Sequence, residues 1–223
     1  MIMFGDTRLF EYMNILIIPS ILVTLKMIFF SFVFSVFFGF LLGILMFITK
    51  PDGLKPNKII FFLAEKFTDL IRSFPTLILM VAITPITKFF IGTSIGVNAA
   101  IFTITLACTP FAARMTLNSF NTIDKDLIKV AKSFGATNLQ IIFKVLLVES
   151  LPTLISNYTI MLVNMLNMSA MAGAIGAGGL GAVALAYGYQ QYDEMIMYFI
   201  VFILIIIVFL IEKISKIIYY KLK

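Results

Sequence analysis

The sequence predicts an all-α integral membrane protein, a bundle of five transmembrane helices, and three observations lead there. Of 223 residues, 61% are hydrophobic and only 13% charged, whereas a soluble domain carries about 25% charged residues. The apolar runs are long and continuous rather than alternating, which selects helices over barrel strands, since lipid leaves only those two ways to satisfy a backbone. The length suits a single transmembrane domain, residues 1–223, at roughly 20 residues per span.

Composition also removes several kinds of chemistry. With one cysteine, Cys108, and no histidine, a zinc, haem or thiol–histidine site lacks its ligands, and no internal disulfide can form. A formal charge of +6 would suit nucleic acid in a soluble chain; in a membrane chain the distribution among loops matters more. The apolar stretch after Pro19 runs to Ile48 without a small-residue cleavage site, so it reads as a retained span.

Span 1 covers about residues 20–48 and contains Gly39-Phe40-Leu41-Leu42-Gly43, a spacing that lets another helix approach closely. Lys50-Pro51-Asp52-Gly53 closes it with turn chemistry. Span 2, about 61–84, carries Glu65, Lys66, Asp69 and Arg72 in its first half. Asp69 and Arg72 stand three apart, as a local ion pair requires, so this end meets water or protein. Pro85, Gly92 and Gly96 mark a connecting loop that holds Lys88. Span 3, about 98–118, is expected to kink or loosen at Pro110. Span 4 covers about 151–171 and span 5 about 195–211, with a Gly-rich stretch between.

Five spans place the termini on opposite sides. One side receives Lys50, Lys55, Lys58, Arg114, Lys125, Lys129, Lys132, Lys144 and four lysines of the C-terminal tail; the other receives Arg8, Lys26 and Lys88, a bias of 12 against 3. The positive-inside rule puts the 120–150 loop and the C-terminus in the cytoplasm.

That loop contains its own helix signal. Asp124 and Asp126 stand where a helix begins and Lys129 and Lys132 where it ends, each favourable to the dipole. Leu127, Val130, Ala131 and Phe134 share a face, Gly135 suits the left-handed position beyond the end, and Thr137-Asn138-Leu139-Gln140 spells a capping box. A helix of about three turns is marginal alone. It packs on its own bundle or the membrane surface, or else in the groove of a cytoplasmic partner.

From these residues the chain resembles the permeases of ABC importers. Their cytoplasmic loop reads Glu-Ala-Ala, three residues, Gly, nine residues, Ile-x-Leu-Pro. Ala131, Gly135 and Val145-Leu146-Leu147 fit this frame, while Lys129, Val130 and Val148 depart from it. Arg72-Ser73-Phe74-Pro75, Gly92-Thr93-Ser94-Ile95-Gly96, Pro110-Phe111-Ala112-Ala113-Arg114, Ser169-Ala170-Met171-Ala172-Gly173-Ala174-Ile175-Gly176, Gly178-Gly179-Leu180-Gly181 and Tyr187-Gly188-Tyr189 look like the methionine-uptake branch. They fall in order across about two thirds of the chain. The resemblance implies a type I importer bundle in the bacterial plasma membrane and a homodimer of five-span subunits. It also implies two ATPase subunits on the cytoplasmic side and an extracytoplasmic substrate-binding protein. The loop helix then becomes a coupling helix, with Asp126, Lys129, Ala131, Lys132, Phe134 and Gly135 as its candidate contacts with the ATPase.

Gly176-Ala177-Gly178-Gly179-Leu180-Gly181 imitates a dinucleotide fingerprint, but a lipid-type helix precedes it and Asp193 follows too soon. A helix break with close backbone packing explains it better. No G-x-x-x-x-G-K-[ST] occurs anywhere, so the expectation is that this chain binds no cofactor and that ATP is used by a partner ATPase.

Span 4 offers the candidate path. Met161, Met165, Met168 and Met171 are spaced 4, 3 and 3, with Asn164 and Asn167 beside them. Polar side chains at membrane depth face a bundle interior or cavity, and thioethers can line a passage for a partly apolar solute; ordinary core packing is the competing reading. Asn164, Met165, Asn167, Met168, Ser169 and Met171 are the candidate path and gate residues, Met168 and Met171 favoured by the resemblance. An ion-coupled carrier would want ionisable groups at depth and internal repeats, which are not evident. A non-transporting scaffold stays open. An enzyme lacks any nucleophile–base or metal constellation.

Overall fold

The computed structural model describes residues 12–222. Arg8 and Lys223, two of the basic residues in the orientation argument, lie outside the described residues. The helices are α1 (Met13–Thr49), α2 (Lys58–Ser73), α3 (Thr76–Ala82), α4 (Thr84–Ile91), α5 (Val97–Asn121), α6 (Lys125–Ser133), α7 (Asn138–Ala177), α8 (Gly179–Tyr189) and α9 (Glu194–Leu222). Among the described residues, four of these, α1, α5, α7 and α9, are long and apolar enough to cross a membrane.

The expected span 2 is the exception. Instead of one helix, residues 58–91 form three in series. Asn57 caps α2 through its side-chain oxygen, accepting from the backbone N–H groups of Ile59 and Ile60 at 3.1 Å. Phe74 is extended at φ −77°, ψ 138°, because Pro75 disfavours the helical conformation in the residue before it. Pro85 lies in the opening turn of α4 rather than in a loop, where its missing N–H costs nothing. Gly92 ends α4 at φ +84°.

Other boundaries also move. α5 stays helical through Pro110. The capping box at Thr137 and Gln140 forms in both directions, but the helix it opens runs directly into span 4 through a π-wound stretch, Ile141–Leu146. The second half of the expected 120–150 loop is therefore the foot of α7. The tail beyond Ile211 continues α9 to Leu222.

Two compact units are distinguished by contact density, residues 12–32, 76–104 and 164–209, and residues 33–75, 105–163 and 210–222. In the first, the Gly-rich break falls where the sequence placed it. Ile175 and Gly176 leave helical geometry and Gly178 takes φ +81°, ψ −159°. The N–H of Gly96 donates to the Gly176 carbonyl at 3.1 Å, and the Leu180 N–H donates to Thr24 Oγ1 at 2.9 Å. The freed backbone of the break is thus satisfied inside protein, as an apolar environment demands. A Cβ on Gly173 would meet the Ala182 nitrogen at 2.5 Å, so α7 and α8 approach backbone to backbone.

In the second unit, Gly39 and Gly43 of α1 lie against Ala112, Ala113 and Thr116 of α5. The close-packing motif is answered within the same chain. Met46, Phe47, Ala113, Leu117 and Phe120 bury together with Ile141, Ile142 and Leu146. Polar groups are paired across helices: Ser35 Oγ donates to the Thr105 carbonyl at 3.2 Å, Asn157 Nδ2 donates to Ser119 Oγ at 2.8 Å, and Thr116 and Tyr158 share a bond of 2.7 Å.

Candidate functional site

The coupling helix forms where the charges and the glycine predict it. Asp124 caps α6, accepting from the Asp126 N–H at 2.9 Å. Gly135 adopts φ +76°, and its N–H donates to the Lys132 carbonyl at 2.9 Å. The expected single apolar face is divided, however. Ile128 and Ala131 pack on the core with Ile123 and Ala136, whereas Leu127, Val130 and Phe134 are exposed, Phe134 at 86%. The division follows from the helical angle: Leu127, Val130 and Phe134 repeat at three and four residues, while Ile128 and Ala131 sit about 100° further round. One face anchors the helix and the other stays available.

Lys129, which stands where the family loop carries Glu, pairs with Asp126 at 2.7 Å. Asp126 and Lys132 are exposed. The bond from Lys129 holds the Asp126 carboxyl below its ordinary range, and the same bond raises the lysine. The basic residue is therefore balanced by its own helix.

A second tie holds the front of α6. Lys125 Nζ donates to Asp52 Oδ2 at 2.7 Å, and that bond pulls the Asp52 carboxyl below its ordinary range. Because the folded value is depressed, its contribution is complete above the unfolded carboxylate value near pH 3.9 and fades as pH falls through the folded one. Asp52 is half exposed, so the gain stays under about 1 kcal/mol. Lys125→Gln is expected to lower the melting temperature slightly at pH 7 and by less at pH 3, where part of the contribution is already lost. An equal shift at both would sink the assignment to this ion pair.

Sequence reasoning found the Asp69–Arg72 pair, at 3.8 Å, but missed its main partner. Arg114 Nη2 donates to Asp69 Oδ1 at 2.5 Å, and Nη1 lies 3.5 Å from Glu65. Arg72 sits 5.5 Å over the Phe111 ring. This cluster ties α2 to α5, which explains how a helix with five charged residues is held beside apolar neighbours. Only the 45-residue separation hid it; no local signal joins Arg114 to Asp69. Arg114→Ala takes the cation from Glu65 and leaves Asp69 with the more distant Arg72 alone, and is expected to cost about 2 kcal/mol, the buried-pair penalty reduced for partial exposure. Detergent-extracted thermal unfolding checks this, and an unchanged midpoint would count against it.

The methionine stripe of α7 divides as well. Met161 and Met165 are fully buried and Ser169 nearly so, its Oγ donating to the Leu166 carbonyl at 2.7 Å. Met168 is half-buried, while Asn164, Asn167, Met171 and Ala174 are exposed. Spacings of 4, 3 and 3 drift roughly 80° around a helix, so the methionines walk from the core toward the surface. The expected methionine face is instead a face of two asparagine amides with Met171. An amide in hydrocarbon would lack partners, so this face borders water or another protein surface.

Apolar helices of membrane length, a broken helical run and an exposed amphipathic helix define a multi-pass helical membrane protein. The chain belongs to the family described as binding-protein-dependent transport system inner membrane components, whose pattern matches residues 39–222. It is 38% identical over 155 residues to the D-methionine transport system permease protein MetI of Salmonella typhimurium strain LT2, covering 70% of this chain and 71% of that one. The corresponding protein of Escherichia coli strain K12 is 39% identical over the same length and shares. Among solved structures, a chain of the inward-facing MetNI methionine ABC transporter superposes with a TM-score of 0.93 at 35% identity, covering 98% of this chain and 100% of that one. A second match, to an amino acid ABC transporter at 18% identity and a TM-score of 0.78, shows the fold alone. The type I importer permease fold and the inner-membrane location expected from the sequence are those of the family.

Proposed function

We infer that this chain is the permease of an ATP-driven importer of methionine or a closely related amino acid. The observation that carries the reading is the match over essentially the whole chain, at 35% identity, to a methionine ABC transporter. The working assembly is a homodimer with two separate ATPase subunits on the cytoplasmic side and an extracytoplasmic binding protein. The absence of a phosphate-binding loop motif from the sequence supports assigning ATP hydrolysis to a partner chain. The C-terminus is cytoplasmic, following the lysine bias.

In this reading Leu127, Val130 and Phe134 seat the coupling helix on the ATPase, with Asp126, Lys129 and Lys132 around them and Gly135 setting the exit angle. Ala131 acts from beneath, transmitting force to the core. Asn164, Asn167 and Met171 face the translocation path. Half-buried Met168 adjoins them as a gate, and Met165 and Ser169 set their position from behind.

The test is uptake of labelled amino acids into liposomes holding this chain with its ATPase and binding protein. ATP-dependent accumulation of methionine, competed poorly by other amino acids, is expected. Accumulation of a different solute would remove the methionine assignment; accumulation by the chain without any ATPase would favour an ion-coupled carrier.

A further inference from the structure

A cavity of about 350 Å³ opens beside the ends of α1 and α5 and the start of α6. Its polar wall is built from Lys50, Asp52, Asn121 and Lys125. Lys50 is 12% exposed, donates from Nζ to Asn121 Oδ1 at 2.6 Å, lies 3.6 Å from Asp52 and stands 4.2 Å over the Phe47 ring. Lys125 takes the other carboxylate oxygen of Asp52. Two cations therefore share one carboxylate, and the cavity lining carries one uncompensated positive charge. The opposite wall is apolar, with Phe47, Phe61 and Ile128 among its residues.

Location narrows the ligand. α1 and α5 are two of the membrane-length helices, and they end at Thr49 and Asn121, so the cavity stands at a membrane–water boundary where headgroups are concentrated. Phe61 belongs to α2, whose next residues Phe62 and Leu63 are exposed apolar side chains, which continues the apolar wall toward lipid. Basic pockets at the ends of spans take anionic headgroups.

The geometry points to a binding site for one anionic phospholipid, its phosphate between Lys50 and Lys125 and the first acyl carbons against Phe47 and Phe61. A headgroup of single negative charge, such as phosphatidylglycerol, matches the lining. Bound there, the lipid ties the coupling helix, through Lys125 and Ile128, to the ends of α1 and α5. This site is distinct from the translocation path and does not depend on the substrate assigned above.

The full-length protein, purified in detergent, is titrated with phosphatidylglycerol, phosphatidylcholine and free glycerol phosphate, and retained molecules are counted by native mass spectrometry. Retention of phosphatidylglycerol over phosphatidylcholine is expected. At about 1 kcal/mol per surface lysine, Lys125→Gln, an exposed position that leaves the core intact, should weaken it about fivefold. Lys50→Gln with Lys125→Gln should weaken it about thirtyfold. Asp52→Asn, which frees both lysines, should tighten it about fivefold, a gain that misfolding cannot imitate. Lys66→Gln and Lys221→Gln remove equal charge elsewhere and should change nothing. Equal retention of phosphatidylcholine, an equal loss in these control variants, or unchanged binding in Asp52→Asn would overturn the site. So would glycerol phosphate binding as tightly as the lipid, which would reassign the cavity to a soluble anion.

Discussion

Gly43→Leu is expected to prevent stable assembly of the bundle. A Cβ at this position would lie 2.5 Å from the Thr116 Cβ and 2.8 Å from the Ala113 carbonyl oxygen. The second of these is backbone and cannot swing aside. Gly39 faces the same helix one turn away, where its Cβ would meet the Ala112 Cβ and, at 2.8 Å, the Thr109 carbonyl. Overpacking against movable side chains costs about 1–3 kcal/mol; against an α5 backbone already threaded by Pro110, about 3 kcal/mol or more is expected, with Gly43→Ala about half that. Membrane abundance and the unfolding midpoint of the extracted protein measure the effect. Gly92→Ala is the contrast: nothing lies within 4 Å of its Cβ, but φ is +84°, so only backbone strain of about 1–2 kcal/mol is expected. If Gly43→Leu matched the unsubstituted protein in both measurements, the α1–α5 contact would be wrong.

Gly135→Pro is expected to separate transport from ATP hydrolysis. Proline fixes φ near −65° and has no N–H, whereas Gly135 holds φ +76° and donates to the Lys132 carbonyl at 2.9 Å. Both the turn and its hydrogen bond are lost, a change of about 3 kcal/mol, enough to displace the angle between α6 and α7 in nearly every molecule. The Cβ space at Gly135 is open, so Gly135→Ala adds only about 1–2 kcal/mol of left-handed strain and should keep much of the activity. In reconstituted liposomes the proline variant should hydrolyse ATP while accumulating at most about a hundredth of the normal solute. Normal uptake by that variant would remove the coupling role of the α6–α7 turn.

Several local signals are legible in the order of the side chains, although the helix stop before Pro75, equally local, falls inside what hydropathy reads as a single span. The membrane character follows from composition alone, since no soluble fold covers that much apolar surface. The α6 helix, its Asp124 cap, the left-handed Gly135 and the Thr137–Gln140 capping box depend on interactions spanning three or four residues, which the order of side chains states directly. The glycine break after α7 is legible for the same reason.

What only tertiary structure decided depends on partners distant in sequence. Hydropathy could not tell what holds the charged helix α2 beside apolar neighbours, because Glu65 and Asp69 find their partner in Arg114, 45 residues beyond Asp69. It could not tell which side of the methionine stripe faces inward, since a drift of roughly 80° matters only once neighbouring helices define an inside. Nor could it divide the coupling helix into an anchored face and an exposed one, for Ile128 and Leu127 are about equally apolar and differ in whether the core reaches them. The sequence by itself determined a lipid-spanning helical protein with a capped, charged helix outside the membrane. Which apolar and polar faces are covered was decided by packing between helices far apart in the chain, because burial is a property of what arrives against a residue.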